Sequence, residues 1–211
     1  MALIKNAKGR KKEETPSGYE RLFGNRALGM LISKVQSAVI STGNELEIIL
    51  ASKIKNPQGI SIQNINKENR IFKGIKNGHD IVIDCVIEKN GKIMLIEIKD
   101  GDTFDTKKVA GEVESLLMAK EHIIKSNKLK ESDVSVFYCS FNATSHEQIE
   151  KGAKSLLPPN SAMTGKEFCK LIGLDFDKIV QEREKDQEEN LNYFIEELKK
   201  ILEIVEKLKI L

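Results

Sequence analysis

The sequence predicts an α/β fold in which helical stretches and strands alternate along the chain. Apolar residues recur at helical spacing over residues 19–54 and 107–125. Between and after these stretches, β-branched and aliphatic residues dominate residues 79–88, 93–98 and 133–141. The predicted order is therefore helix, strand, strand, helix, strand, which is typical of a sheet covered by helices.

Length and composition indicate one soluble domain. The chain has 211 residues and is 40% hydrophobic, so we expect a single domain over residues 1–211. It contains no run of about 18 apolar residues and no apolar signal segment at its N-terminus, which predicts a cytoplasmic protein with no membrane contact. Its three cysteines lie far apart without metal-ligand spacing, which predicts buried thiols and no zinc site.

The net charge of +2 is unevenly distributed. Residues 1–79 contain 14 Lys and Arg against 6 Asp and Glu, whereas residues 80–211 contain 20 against 26. The first segment is the electrostatic candidate for phosphate contact, and a solvated lysine-rich surface explains it equally well. Residues 1–15 are expected to form a basic flexible arm.

Two aliphatic runs separated by the dipeptide Asn90-Gly91 predict a β-hairpin. Asn-Gly favours a two-residue type I′ turn, because both of its residues must adopt positive φ. With that turn, Glu97 lies opposite Asp84, and Lys99 lies opposite Val82.

Four charged side chains then share one face of the predicted hairpin. Side chains alternate along a strand, so Asp80, Asp84, Glu97 and Lys99 project to the same side, with the Cβ atoms of Asp84 and Glu97 about 5 Å apart. Two carboxylates at that distance repel each other unless a cation compensates them. The pattern therefore points to a divalent metal.

The strand that carries Glu97 and Lys99 is nearly continuously apolar over residues 93–98. Such a run predicts a strand that is buried on both faces. Charged groups at its end are costly unless they are paired or used in chemistry. The alternative is an exposed strand with alternating Glu and Lys, which needs no function.

This arrangement resembles the PD-(D/E)xK nuclease superfamily, whose motif is an Asp in one strand and Glu-x-Lys in the next. Here Asp84 precedes Glu97 by 13 residues, Lys99 completes the motif, and Ile83 stands where the family has Pro. Asp80 is the alternative first carboxylate. The resemblance covers residues 41–141 and implies a restriction-endonuclease-like αβββαβ core there, with a mixed sheet flanked by helices and with additional N- and C-terminal helices. It also implies Mg²⁺ bound by Asp84, Glu97 and the Ile98 carbonyl, with Lys99 orienting the attacking water.

Residues outside the hairpin complete the predicted site. The segment Gly43-Asn44-Glu45-Leu46-Glu47 resembles the family's first helix, in which Glu47, or alternatively Glu45, would face the site; a plain exposed glutamate explains it equally well. Candidate DNA contacts are Lys107 and Lys108 at a predicted helix start, and Asn69 and Arg70 in a polar connection.

The C-terminal segment, residues 178–211, predicts a helix with an apolar heptad face. That face comprises Leu191, Phe194, Leu198, Ile201, Val205 and Leu208, widened by Ile195 and Leu202. It would either pack on its own domain or form a homodimer, which suits a palindromic DNA target.

The resemblance implies a Mg²⁺-dependent, sequence-specific endonuclease of double-stranded DNA, most like a type II restriction enzyme. Such an enzyme acts with a separate cognate DNA methyltransferase. A Holliday junction resolvase matches the hairpin equally well, but those enzymes are usually shorter and more basic. From a different class, a non-catalytic DNA-binding protein would retain the fold but lose a motif residue, and all motif residues are present here.

Overall fold

The computed structural model describes residues 2–9, 16–101 and 106–209, with side chains described for 2–9, 16–101 and 108–206. The chain forms two compact units. The helical unit comprises Met1–Leu46 and Asp177–Leu211, and the sheet unit comprises Glu47–Phe176.

The structure contains α-helices and β-strands with the following bounds. The helices are α1 (Gly18–Phe23), α2 (Arg26–Lys53), α3 (Thr106–Asn127), α4 (His146–Gly152), α5 (Gly165–Leu171) and α6 (Phe176–Lys209). The strands are β1 (Ile60–Ile62), β2 (Ile71–Lys76), β3 (His79–Val82), β4 (Cys85–Lys89), β5 (Lys92–Lys99), β6 (Val134–Ser140) and β7 (Ala162–Thr164). None of the described helices has the length and apolar character needed to cross a membrane.

The main sheet has the strand order β1-β4-β5-β6-β7. The pairs β1–β4 and β4–β5 are antiparallel, and β5–β6 and β6–β7 are parallel. Helix α3 makes the crossover between β5 and β6, as parallel pairing of consecutive strands requires. The predicted α/β class with a mixed sheet is thus confirmed.

The predicted hairpin register is confirmed from the turn to Cys85. Asn90 and Gly91 have φ of 52° and 72°, as a type I′ turn requires. Cys85 pairs with Ile96 and Val86 with Leu95, in the register predicted from that turn.

The prediction of one continuous strand over residues 79–88 is wrong. β3 ends at Val82 and pairs with β2 in a separate two-stranded sheet, so Val82 lies opposite Ile71 and not opposite Lys99. The cause is a second Asn-Gly turn, Asn77-Gly78, whose residues also have positive φ (51° and 82°) and which joins β2 to β3. The chain then bends before Cys85 starts β4.

The core of the sheet unit lies between the strands and α3. Leu95 and Ile96 of β5 are fully buried, as predicted for a strand covered on both faces. Leu116 and Ile123 of α3 pack in the same apolar cluster as Leu95. This packing fixes the position of α3 relative to β5, so residues of both elements can meet in one site.

Residues 2–9, which the sequence assigns to a flexible arm, make defined contacts in the helical unit. Ala2 and Ile4 are buried in a cluster with Ala38. The Ile4 N–H donates to Asn190 Oδ1 at 2.7 Å, and Asn190 Nδ2 donates to the Ala2 carbonyl at 2.8 Å. These contacts differ from the expected mobility; residues 10–15 of the arm lie outside the described residues.

The heptad face of α6 is only partly covered. Ile201 is buried, and Phe194 packs against the cluster of Ala2 and Ile4. Leu191 and Leu202 are 59% and 52% exposed, and Ile195 is also exposed. Exposed apolar residues therefore form a stripe beside the packed face. The Leu208 side chain lies outside the described residues.

Candidate active site

The candidate site lies at the C-terminal end of β5. Glu97 and Lys99 are two residues apart in this strand and therefore project from the same face. Asp84 lies in the bend between β3 and β4, and its Oδ2 accepts a hydrogen bond of 2.8 Å from the Ile98 backbone N–H. That bond fixes the Asp84 carboxylate to the strand that carries Glu97 and Lys99.

Lys99 is held by two carboxylates from different elements. Its Nζ lies 2.6 Å from Glu97 Oε1 and 2.8 Å from Glu112 Oε1 of α3. The other oxygen of Glu112 accepts a hydrogen bond of 3.0 Å from the Tyr138 hydroxyl. Burial alone would lower the pKa of Lys99, but the charges of Glu97 and Glu112 outweigh it and raise that pKa above its usual value. Lys99 is therefore a protonated, positively charged group in the site.

Glu47, in the C-terminal part of α2, contributes another carboxylate. It is 9% exposed, and its Oε2 accepts a hydrogen bond of 3.2 Å from Gln63 and lies 3.5 Å from Arg70 Nη2. Burial first, and then the charge of Asp84, raise the pKa of Glu47 to about 7. Glu47, rather than Glu45, is thus the helix carboxylate in this cluster.

Arg70 holds the segment that leads into Asp84. Its Nε donates to the Ile83 carbonyl at 2.7 Å, and its own carbonyl accepts from the Ile83 N–H at 3.0 Å. Glu47 is the second residue that Arg70 contacts, and Arg70 is 6% exposed. The predicted role of Arg70 as a DNA contact is wrong, because its guanidinium is buried and directed at the Ile83 carbonyl and the Glu47 carboxylate.

Burial dominates the electrostatics of the site, and the nearby carboxylates add to its effect. Burial first, and then the charge of Asp84, raise the pKa of Glu97 to about 8. Burial also raises the pKa of Asp84, against the opposing effects of the Ile98 N–H and of Lys99 and Arg70. Burial and the neighbouring carboxylates thus disfavour the ionised form of each carboxyl group, more than Lys99 and Arg70 favour it.

Among the residues that the structure describes, no group of three or more His, Cys, Asp and Glu side chains is arranged to hold a metal ion. Asp84 and Glu97 are a pair of oxygen donors, and backbone carbonyls and water would have to complete the coordination. Mg²⁺ suits such a set, because it prefers oxygen ligands, retains several waters and needs few protein ligands. The residues present therefore fit Mg²⁺.

The other predicted residues lie outside this cluster. Asp80 is exposed on β3, where its Oδ1 accepts from the Gly74 N–H at 2.9 Å, so its predicted place beside Asp84 is wrong. Asn69 and Lys108 are exposed. The Lys107 side chain lies outside the described residues.

Neither Tyr138 nor Glu112 is among the predicted catalytic residues. The parallel pairing of β5 with β6 places Tyr138 beside Glu97, and this register cannot be read from the local sequence. For Glu112 the sequence shows only an ordinary acidic residue in the first half of α3, and its contact with Lys99 depends on how the helix packs.

No family model matches the chain, and no solved structure matches it. It is 36% identical to the type II restriction enzyme HhaII of Haemophilus parahaemolyticus over an alignment of 233 positions, gaps included, that spans 99% of each chain. Similarity at this level over the whole of both chains, helical segments included, indicates common descent. The chain therefore belongs to the type II restriction enzymes, a family of site-specific deoxyribonucleases.

Proposed function

We propose that this chain is a Mg²⁺-dependent, sequence-specific endonuclease that hydrolyses phosphodiester bonds of double-stranded DNA with a PD-(D/E)xK site. The observation that carries the proposal is the convergence of Asp84, Glu97 and Lys99 at the end of β5, with Asp84 bonded to the Ile98 N–H at 2.8 Å. The order α2, β1, β4, β5, α3, β6 supports it, because this is the element order of the αβββαβ core, with the β2–β3 hairpin inserted.

Asp84, Glu97 and the Ile98 carbonyl are the proposed metal ligands. The N–H and C=O of a strand residue point to the same side of the strand, so the Ile98 carbonyl points toward the side on which its N–H meets Asp84. β4 begins at Cys85, which lies opposite Ile96, so the pairing of β4 with β5 does not extend to Ile98. When bound, Mg²⁺ would make water easier to deprotonate and would stabilise negative charge on the phosphate.

Lys99 and Glu47 have separate proposed roles. Lys99 provides an ammonium group that donates hydrogen bonds to the attacking water and stabilises the charge that develops in the transition state. Glu47 adds a carboxylate beside Asp84 that assists in ordering water. Arg70 keeps both acidic groups in place through Ile83 and its contact with Glu47.

The restriction function is favoured over a junction-resolving function because the full-length relative is a type II restriction enzyme. A homodimer and a separately encoded methyltransferase are part of the same proposal. The stripe of exposed apolar residues on α6, formed by Leu191, Ile195 and Leu202, is the proposed dimer surface. Lys108 and Asn69, both exposed, and Lys107 remain proposed DNA contacts.

Incubation with plasmid DNA and with a four-way junction, each with and without Mg²⁺, tests the function. We expect plasmid cleavage into discrete fragments only with Mg²⁺. Glu97→Gln should abolish cleavage, whereas Glu88→Gln, an exposed carboxylate on the same hairpin, should not. Cleavage by Glu97→Gln at the wild-type rate would exclude this site, and preferential cutting of the junction would favour the resolvase function.

A further inference from the structure

Lys99 has two carboxylate partners, and only one of them belongs to the proposed metal ligands. Glu97 Oε1 lies 2.6 Å from the Lys99 Nζ, and Glu112 Oε1 lies 2.8 Å from it. If Glu97 binds Mg²⁺, its oxygens are less available to the ammonium group of Lys99. Glu112 is not one of the proposed metal ligands, and its two oxygens are directed at Lys99 and Tyr138.

Glu112 is itself fixed by a rigid partner. Its second oxygen accepts from the hydroxyl of Tyr138, which is 1% exposed and packs in an apolar cluster with Val109 and Val113 of α3. A buried tyrosine has few rotamers available, so its hydroxyl restricts the carboxylate it binds. The result is a chain of contacts from the core through Tyr138 and Glu112 to Lys99.

We propose that Glu112 is a positioning residue that holds the Lys99 ammonium group at the reaction centre independently of Glu97, and that Tyr138 fixes Glu112 for this task. An ammonium group has three donors, so two carboxylates leave one donor for water or phosphate. Lysine has a flexible four-carbon side chain, and a second anchor restricts it to the geometry that the reaction needs. This inference rests on the proposed function of the site.

Steady-state cleavage kinetics separate positioning from a merely structural role. We expect Glu112→Gln to lower kcat by about 10- to 100-fold, the range for a misplaced reacting group, with KM changed little. Tyr138→Phe should lower kcat less, in the same direction. The matched control is Glu114→Gln on the same helix, which also removes an ion pair with a lysine (Lys76 Nζ to Glu114 Oε2, 2.8 Å) and should cleave like wild type.

A double-mutant comparison identifies the group through which Glu112 acts. If it acts through Lys99, then Glu112→Gln should have no further effect in a Lys99→Ala background. A second loss of rate in that background would mean an independent role for Glu112, and would overturn the proposal.

Chemical labelling provides a readout that needs neither Mg²⁺ nor DNA. Acetylation of Lys99, measured by mass spectrometry relative to the exposed Lys125, should be slow in wild type and in Glu114→Gln and faster in Glu112→Gln. Unchanged labelling of Lys99 in Glu112→Gln would overturn the proposal. So would a fall in melting temperature large enough to account for the lost rate. If wild type does not cleave with Mg²⁺, the proposed function fails; if wild type and Glu112→Gln cleave equally, only this inference fails.

Discussion

The contacts of Arg70 with Ile83 predict a specific cost for removing its guanidinium. In Arg70→Met the apolar part of the side chain is largely kept, while the 2.7 Å hydrogen bond from Nε to the buried Ile83 carbonyl is lost. A buried hydrogen bond that involves a charged group contributes about 1.5–3 kcal/mol. The backbone bond from the Ile83 N–H to the Arg70 carbonyl survives this substitution.

The contact of Arg70 with Glu47 contributes less to the free energy of unfolding than a buried ion pair usually does. Breaking such a pair costs about 3–5 kcal/mol when it leaves a buried charge uncompensated. Here the Nη2–Oε2 distance is 3.5 Å, Gln63 remains as a partner of Glu47, and a pKa of about 7 lets Glu47 take up a proton near neutral pH. We therefore expect a total loss of about 2–4 kcal/mol, most of it from the Ile83 carbonyl.

Urea unfolding followed by circular dichroism measures this loss. Arg21→Met is a matched control, because the exposed Arg21 also donates to a backbone carbonyl (Pro16, 3.2 Å) and its removal should cost at most about 0.5 kcal/mol. DNA cleavage by Arg70→Met should fall under conditions where the variant is still folded, since Asp84 directly follows Ile83. A free energy of unfolding equal to that of Arg21→Met would refute the assignment of Arg70 as a buried support.

The backbone half of the same contact involves Ile83, which stands where the PD-(D/E)xK motif that this hairpin resembles has proline. Ile83→Pro introduces that proline before Asp84 but removes the N–H that donates to the Arg70 carbonyl at 3.0 Å. We expect about 1–3 kcal/mol of destabilisation. Ile83→Val, which keeps the N–H, should cost about 1 kcal/mol.

Three further predictions concern the site and the assembly. Asp84→Asn should abolish cleavage. Asp80→Asn should leave the cleavage rate within about threefold of wild type, because Asp80 is exposed in the other sheet. The reverse ranking in a plasmid assay would reject Asp84 as the catalytic aspartate. Above about pH 8, where Glu97 is ionised, Glu97→Ala should bind DNA without metal at least as tightly as wild type, because one repulsive charge is gone, and it should not cleave when Mg²⁺ is added; fluorescence anisotropy that shows weaker binding would contradict this. Ile195→Glu with Leu202→Glu should convert a dimer into a folded monomer in light scattering, and a wild type that is monomeric with and without DNA would remove the dimer proposal.

Local sequence was sufficient for the part of the site that lies on one hairpin. Asn90-Gly91 determines the turn, the turn determines the register of β4 and β5, and the two-residue period of a strand places Glu97 and Lys99 on one face. These relations involve neighbours in the chain, so they could be predicted before any packing was known. The α/β class was predictable for the same reason, from the alternation of helix and strand periods.

Tertiary structure decided which other residues join that hairpin. Asp80 and Asp84 have similar local sequences, and the pairing of β3 with β2, for which the Asn77-Gly78 turn is a local signal, moves Asp80 away from the site. Arg70 and Glu112 are charged residues whose local sequence allows an exposed position, and they become a buried support and a partner of Lys99 because of long-range packing. The physical reason is that a turn or a strand period depends on a few consecutive residues. The partner of a buried charge depends on which distant elements supply a donor or acceptor at hydrogen-bonding distance.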